Sequence, residues 1–212
     1  MLDAKMAEAW RVLRIQSELV DGIERLIALS GAVTVFGGAR FTENSSEYQQ
    51  GVKLGELLAA EGISVITGGG PGLMEACNRG AFDLPGTSIG LNIELPFEQT
   101  ANPYQDISLN FRYFFVRKFM FVKHAVGFVG LPGGYGTLDE LFEALTLVQT
   151  QKVRRFPIVL VDRHYWSGLY NWLVDTVLER NCIDAGDLDL FHIVETVEEA
   201  AELILHYMRP QG

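Results

Sequence analysis

At 212 residues, with 48% hydrophobic and 21% charged side chains, the chain is long enough for one sizeable α/β domain with its own core. A formal charge of −10 with no basic tract excludes a surface built for a nucleic-acid polymer, although backbone dipoles and one or two arginines can still hold a phosphorylated small molecule. No apolar run reaches the roughly 18 residues of a membrane span, the N-terminus lacks the apolar core of a signal peptide, and Cys77 and Cys182 lack metal-ligand spacing; we therefore expect a cytoplasmic protein with reduced thiols, no metal and no membrane partner.

Residues 3–29 read as an amphipathic helix. Met6, Trp10, Leu13, Val20, Ile23 and Ile27 recur at helical spacing, with Arg11, Arg14, Glu18, Glu24 and Arg25 on the other faces. Residues 1–30 are thus an N-terminal helical extension for packing or assembly, and 31–212 the domain proper. From Ala32 strands and helices alternate. A strand at 33–36 ends in Gly37-Gly38-Ala39-Arg40, before a helix at 46–60. A second strand at 63–67 ends in Gly68 to Gly72, before a helix at 73–82. A third strand at 88–93 leads into a loop at 94–106 with Pro96 and Pro103. Next come a helix at 111–124, a strand at 126–131, a helix at 138–150, a strand at 157–161 and helices at 165–180 and 196–208. Such alternation predicts a single-domain α/β fold: a Rossmann-like, doubly wound parallel sheet with helices on both faces. Ligands bind such sheets at the carboxyl ends of the strands. The glycine-rich turns at 37–38, 68–72 and 133–136 should therefore face one cleft.

Neither standard nucleotide motif fits. Gly-Gly-Ala-Arg after the first strand is not Gly-x-Gly-x-x-Gly, and Thr67-Gly68-Gly69 stands where the acid that holds the ribose of a dinucleotide is expected. The Gly-Lys-Ser/Thr of a P-loop is missing too.

The stretch Leu131-Pro132-Gly133-Gly134-Tyr135-Gly136-Thr137-Leu138-Asp139-Glu140 joins a buried strand to a helix marked by Leu138, Leu141, Phe142, Leu145 and Val148. Backbone N–H groups without intrahelical partners and the helix dipole make such a turn a phosphate cradle. Glycines also occur at strand-to-helix turns for structural reasons, and Thr137 can cap the helix or donate to a ligand. Glu140 and Glu143 lie three apart near the cradle. They are either working acids or favourable charges on a first turn.

The helix at 111–124 is apolar nearly all round, which suggests a two-fold subunit interface. Arg117 within it needs an anion, and Glu140 is the natural partner, for chemistry or as a structural bridge. His124 reads as a cap or packing residue.

Arg117-Lys118, followed 23 residues beyond Arg117 by the acid of the Pro132-to-Glu140 motif, resembles the Lonely Guy family, as does Gly68-Gly69-Gly70-Pro71-Gly72-Leu73-Met74-Glu75. The likeness runs roughly from Ala32 to Met208. It implies a phosphoribohydrolase that splits nucleoside 5′-monophosphates, cytokinin ribotides or AMP, into free base and ribose 5-phosphate. Arg117 and Glu140 would be the catalytic pair. Gly133, Gly134, Gly136 and Thr137 would hold the 5′-phosphate, with Gly68 to Gly72, among them Gly69, Gly70 and Gly72, on the ribose side and Gly37, Gly38 and Lys118 also contributing. The resemblance further implies a homodimer, or an assembly of dimers, with the arginine helix at its interface. The older label of lysine decarboxylase finds no defensible pyridoxal-phosphate lysine here, and no cofactor is expected. Departures at Phe36-Gly37-Gly38-Ala39-Arg40 and Tyr113-Phe114-Phe115-Val116 touch the base pocket and leave the preferred base open. The rival readings are a carrier of the same fold, such as one for molybdenum cofactor, and a nucleotide sensor.

Overall fold

The computed structural model describes residues 2–29, 31–96 and 100–208, with side chains from residue 8 onward. Seven parallel strands form one sheet in the order β4-β3-β2-β1-β5-β6-β7. They are β1 (Ala32–Phe36), β2 (Ser64–Thr67), β3 (Ser88–Ile93), β4 (Ile107–Phe111), β5 (Ala125–Gly130), β6 (Ile158–Val161) and β7 (His192–Val194). The helices are α1 (Leu2–Leu26), α2 (Ser46–Ala60), α3 (Leu73–Ala81), α4 (Phe114–Lys123), α5 (Tyr135–Gln149), α6 (Arg163–Trp172) and α7 (Val197–Met208). The chain winds outward from β1 to β4, then returns to place β5 on the other side of β1. That reversal puts the topological switch between β1 and β5.

Period-two alternation along each strand divides the core. Phe36, Phe128, Ile158 and Leu160 face one layer with α1, α4, α5 and α6, whereas Val33, Val35, Val129, Val159 and Val161 face the other with α2, α3 and α7. Helices on both faces of a parallel sheet explain why its inner strands are apolar on both sides.

Four expectations need correction. The loop after β3 leads into an edge strand, β4, and Phe111 belongs to that strand, so α4 begins at Phe114 rather than at 111. Residues 97–99 of that loop lie outside the described set. A second short edge strand, β7, precedes the last helix. The helix expected at 165–180 is α6 followed by a π-helical stretch, Leu173–Leu178. Finally, α1 buries a different stripe: Ile15, Leu19, Ile23 and Leu26 pack inward, while Trp10, Leu13, Val20 and Ile27 are exposed. Gly22 lets α1 approach α4 closely, since a Cβ there would lie 2.8 Å from Met120 Cε. Met6 is among the side chains outside the described set.

Two contacts fix α4. The Thr34 hydroxyl of β1 donates to the Phe121 carbonyl at 3.0 Å. At the other end, the Glu18 carboxylate of α1 accepts the N–H groups of Arg112 and Tyr113 at 3.2 and 3.4 Å. A carboxylate at a helix N-terminus also meets the positive end of its dipole. Among the described residues no helix is long and apolar enough to cross a membrane.

Candidate active site

Three strand ends meet at one cavity of about 730 Å³, lined among others by Gly37, Gly38, Gly68, Gly133, Gly134, Gly136, Thr137, Arg117 and Glu140. Backbone hydrogen bonds tie the turns together through Gly38. Its N–H donates to the Pro132 carbonyl at 2.9 Å, and its carbonyl accepts from the Leu73 N–H at 3.0 Å. Below them the Leu131 N–H donates to Phe36 O at 2.8 Å, continuing the β1–β5 pairing to the cavity floor. Residues far apart in sequence are thus held as one rigid rim.

At the β5 end the helix α5 opens with Gly134 as its N-cap and no side-chain cap. Thr137 therefore does not cap the helix; its hydroxyl packs against Gly133, where a Cβ would collide with it. The first N–H groups of α5 remain without intrahelical partners in a stretch that lines the cavity, a geometry that favours phosphate. Tyr165, at the start of α6, donates its hydroxyl to the Gly133 carbonyl at 2.6 Å and orients the turn from the β6 side.

Thr137, Glu140, Leu141, Ala144 and Val148 form the inward face of α5. Glu140 is thereby buried at 8% exposure. Burial pushes its carboxyl up to about 7, although Lys118 and Arg117 pull the other way. Glu143 does not share this face with Glu140 as its spacing implied. It turns to Lys118, whose amine also reaches Asp139 at 2.9 Å. Burial works against the Lys118 charge, but these two carboxylates outweigh it and raise its pKa. Lys118 accordingly sits beside the cavity, in a neighbouring groove, rather than among its lining.

Arg117 enters from α4. Its guanidinium carbon lies 5.0 Å from the Phe121 ring centre and 5.9 Å from that of Phe114. Burial lowers its pKa, with the charge of Glu140 opposing that shift. Among the described residues Arg117 and Glu140 form no ion pair within 4.0 Å, and Arg117 Nε is buried without a hydrogen-bond partner. The direct bridge expected from sequence is absent among the described residues, although acid and guanidinium line the same cavity.

Of the second turn only Gly68 lines the cavity. Gly69 and Gly72, with φ of +70° and +69°, shape the turn instead. The carbonyls of Gly69 and Gly70 point away, to Gln105 and Asn102 at 3.0 and 3.1 Å. Those side chains belong to a buried amide and hydroxyl network through Thr67, Asn78, Ser88 and Asn92 that sequence reading did not find. Phe41 and Tyr165 on the rim were also missed, whereas Arg40 and Phe114, from stretches read as touching the base pocket, do line the cavity, as does Met74 of the Gly68-to-Glu75 motif. Position at a strand end, the one signal that would have found Tyr165, requires the topology. His124 is the C-cap of α4 and lies outside the cavity lining; its Nε2 is buried and unpartnered.

No lysine lines the cavity among the described residues, so a Schiff base of pyridoxal type has no amine to form on there. Nor do three His, Cys, Asp or Glu side chains of the described set converge on a metal-sized point. The arrangement instead offers an anion cradle and, one helical turn on, a buried acid that shares the cavity with a guanidinium.

The chain is similar in sequence and fold to known proteins. A family model described as possible lysine decarboxylase matches residues 74–204. A cytokinin riboside 5′-monophosphate phosphoribohydrolase of Arabidopsis thaliana is 29% identical over 181 residues, covering 82% of each chain. The molybdenum cofactor binding protein of Rippkaea orientalis shares the fold, with a TM-score of 0.60 at 24% identity over 86% of this chain and 99% of that one. So does the molybdenum cofactor carrier protein of Chlamydomonas reinhardtii, with a TM-score of 0.59 at 22% identity over 84% and 98% of the two chains.

Proposed function

From the premise that the chain belongs to the family described as possible lysine decarboxylase, in which the Lonely Guy phosphoribohydrolases fall, we propose that it hydrolyses the N-glycosidic bond of nucleoside 5′-monophosphates. The products are free base and ribose 5-phosphate; AMP and its N6-substituted, cytokinin-type derivatives are the substrates to test first. The observation that carries this reading is the buried Glu140 beside the anion cradle at the start of α5, facing Arg117 across one cavity. A cavity evolved only to hold a phosphate gains nothing from a buried carboxyl one turn from the anion, because the two repel.

In this reading the 5′-phosphate rests on the free N–H groups of Gly134 to Thr137. Holding the substrate at a distance from the bond that breaks supplies positioning energy. As the base departs, C1′ of the ribose gains positive charge, as in other glycoside hydrolyses. Ionised Glu140 stabilises that charge and takes a proton from the water that bonds to C1′. The electron pair of the broken bond leaves with the base, which acquires a proton. Arg117 does not deprotonate and so is not the general acid. Its charge favours the ionised form of Glu140, and its guanidinium face contacts the ribose or the leaving base.

The assembly belongs to the same proposal. Phe114, Phe115 and Phe119 of α4 are roughly half exposed, at 54%, 55% and 46%, and Phe142 of α5 is 37% exposed. So much aromatic surface on the helix that carries Arg117 supports a two-fold dimer across α4.

The test is incubation of purified protein with AMP, isopentenyl-AMP and a panel of other purine and pyrimidine monophosphates, followed by chromatography. Release of base together with ribose 5-phosphate supports the reading, and the ratio of rates names the preferred base. Tight binding of nucleotide or of molybdenum cofactor with no release from any substrate would overturn it in favour of a carrier.

A further inference from the structure

Arg40 is a cavity residue to which the cleavage chemistry gives no task. It follows Gly38 and Ala39 at the end of β1 and lines the cavity where the chain leaves toward α2. Helix α2 packs with α3 and α7 on the sheet face opposite α4 and α5. The turn that carries Arg40 thus leads away from the cavity toward the sheet face opposite α5, while Arg40 itself lines the same cavity as the start of α5. Hydrogen bonding between Gly38 and Pro132 holds the Arg40 turn against the cradle turn.

Charge accounting singles out this residue. The cavity lining holds two acids, Asp139 and Glu140, and two cations, Arg40 and Arg117. Arg117 sits between Phe114 and Phe121 and against Gly68, where a Cβ would lie 2.9 Å from its Nη2, and the proposed chemistry gives it to Glu140 and the ribose or base. Lys118 is held by Asp139 and Glu143. Arg40, by contrast, forms no ion pair and no side-chain hydrogen bond among the described residues. In a chain of net charge −10, a doubly charged phosphate entering beside carboxylates needs a mobile cation to complete its neutralisation. A guanidinium fork matches two phosphate oxygens at once, which backbone N–H groups on one side of the anion leave free.

We propose that Arg40 is the phosphate-reading residue of this cavity, closing on the 5′-phosphate from the side opposite α5 and making the protein select nucleotides over nucleosides. The inference rests on the phosphoribohydrolase reading, and its test separates the two. Steady-state kinetics with AMP on wild type, Arg40→Ala and Arg40→Lys should show KM raised roughly 10- to 100-fold in Arg40→Ala, with kcat changed far less, as for loss of a charge-assisted pair made equally in ground and transition states. Arg40→Lys should recover part of the loss by restoring charge without the fork. Competitive inhibition by ribose 5-phosphate should weaken in the same proportion, a change that a purely structural role would not produce alongside an unchanged melting temperature. An Arg40→Ala enzyme with wild-type KM for AMP and wild-type inhibition by ribose 5-phosphate overturns the role of Arg40 while leaving the proposed activity intact. If the wild type turns nothing over, calorimetric titration with AMP reads the subsite directly. Equal binding by wild type and Arg40→Ala again overturns the Arg40 proposal, and no binding by either overturns both readings.

Discussion

Burial of the Glu140 carboxyl links chemistry to folding at the scale of a single residue. Its pKa near 7 lies well above the ordinary 4.5, so between these values the folded protein holds a proton that the unfolded chain has lost. Stability therefore falls as pH rises through that window. Glu140→Gln should remove the dependence and leave the protein more stable than wild type at pH 8, by on the order of 2 kcal/mol. Thermal melts of both proteins at pH 5 and pH 8 test this; an equal pH response in the two would contradict it. The same titration should appear in catalysis. Because the carboxylate is the form that accepts the proton from water, kcat/KM should rise with pH through about 7. A profile that instead falls through that pH would make the protonated acid the working form and reverse the role given to Glu140. Gly68 supplies an independent check on Arg117. A methyl group there would stand 2.8 Å from Met74 Sδ and 2.9 Å from Arg117 Nη2. Met74 can swing aside, but the guanidinium must move, so Gly68→Ala should lower kcat about 10- to 100-fold with little change in melting temperature. Wild-type turnover in that variant would show that the position of Arg117 is not critical.

Among the elements, α4 is the one whose placement matters most, because it brings Arg117 to the cavity. It is held by Thr34 from the sheet and by Glu18 from α1. The N-terminal helix is thus a support for the arginine helix as well as an extension. Glu18→Ala removes the acceptor for two backbone N–H groups and should cost about 1 kcal/mol, or roughly 2–4 °C in melting temperature for a chain of this size. A melting temperature equal to wild type would show that α1 holds α4 by its apolar stripe alone. The inner strands, the three glycine turns and most helices were legible in sequence because each carries a period or a punctuation mark. β4 and β7 were not. The first follows a proline-containing loop and buries only alternate residues at the sheet edge, and the second is three residues long. The stripe of α1 was misread because apolar side chains lie on several of its faces, and Gly22, silent in a hydrophobic pattern, decides which face packs. At the site, Arg117, Glu140 and the cradle could be read from a compact motif. The diversion of Lys118 to Asp139 and Glu143, and the departure of Gly69, Gly70 and Gly72 from the cavity, depend on side-chain and turn geometry that spacing does not encode.

For the whole molecule, the sheet reversal between β1 and β5 gathers one strand end from each half into the cavity floor, and helices on opposite faces supply the two sides. In the proposed dimer, the exposed aromatic surface of α4 and α5 would tie assembly to activity. Phe119→Glu should convert the proposed dimer to monomer in sedimentation and lower activity with it; an active monomer would separate the two. The most direct measurement is parallel incubation of wild type and Glu140→Gln with AMP and isopentenyl-AMP, with chromatography for base and ribose 5-phosphate and calorimetry for nucleotide binding. Release by wild type, and binding without release by Glu140→Gln, is the result expected of a cavity that binds phosphate through the α5 N-terminus and cleaves through a buried acid. Equal release by both proteins, or binding without release by wild type, would contradict it.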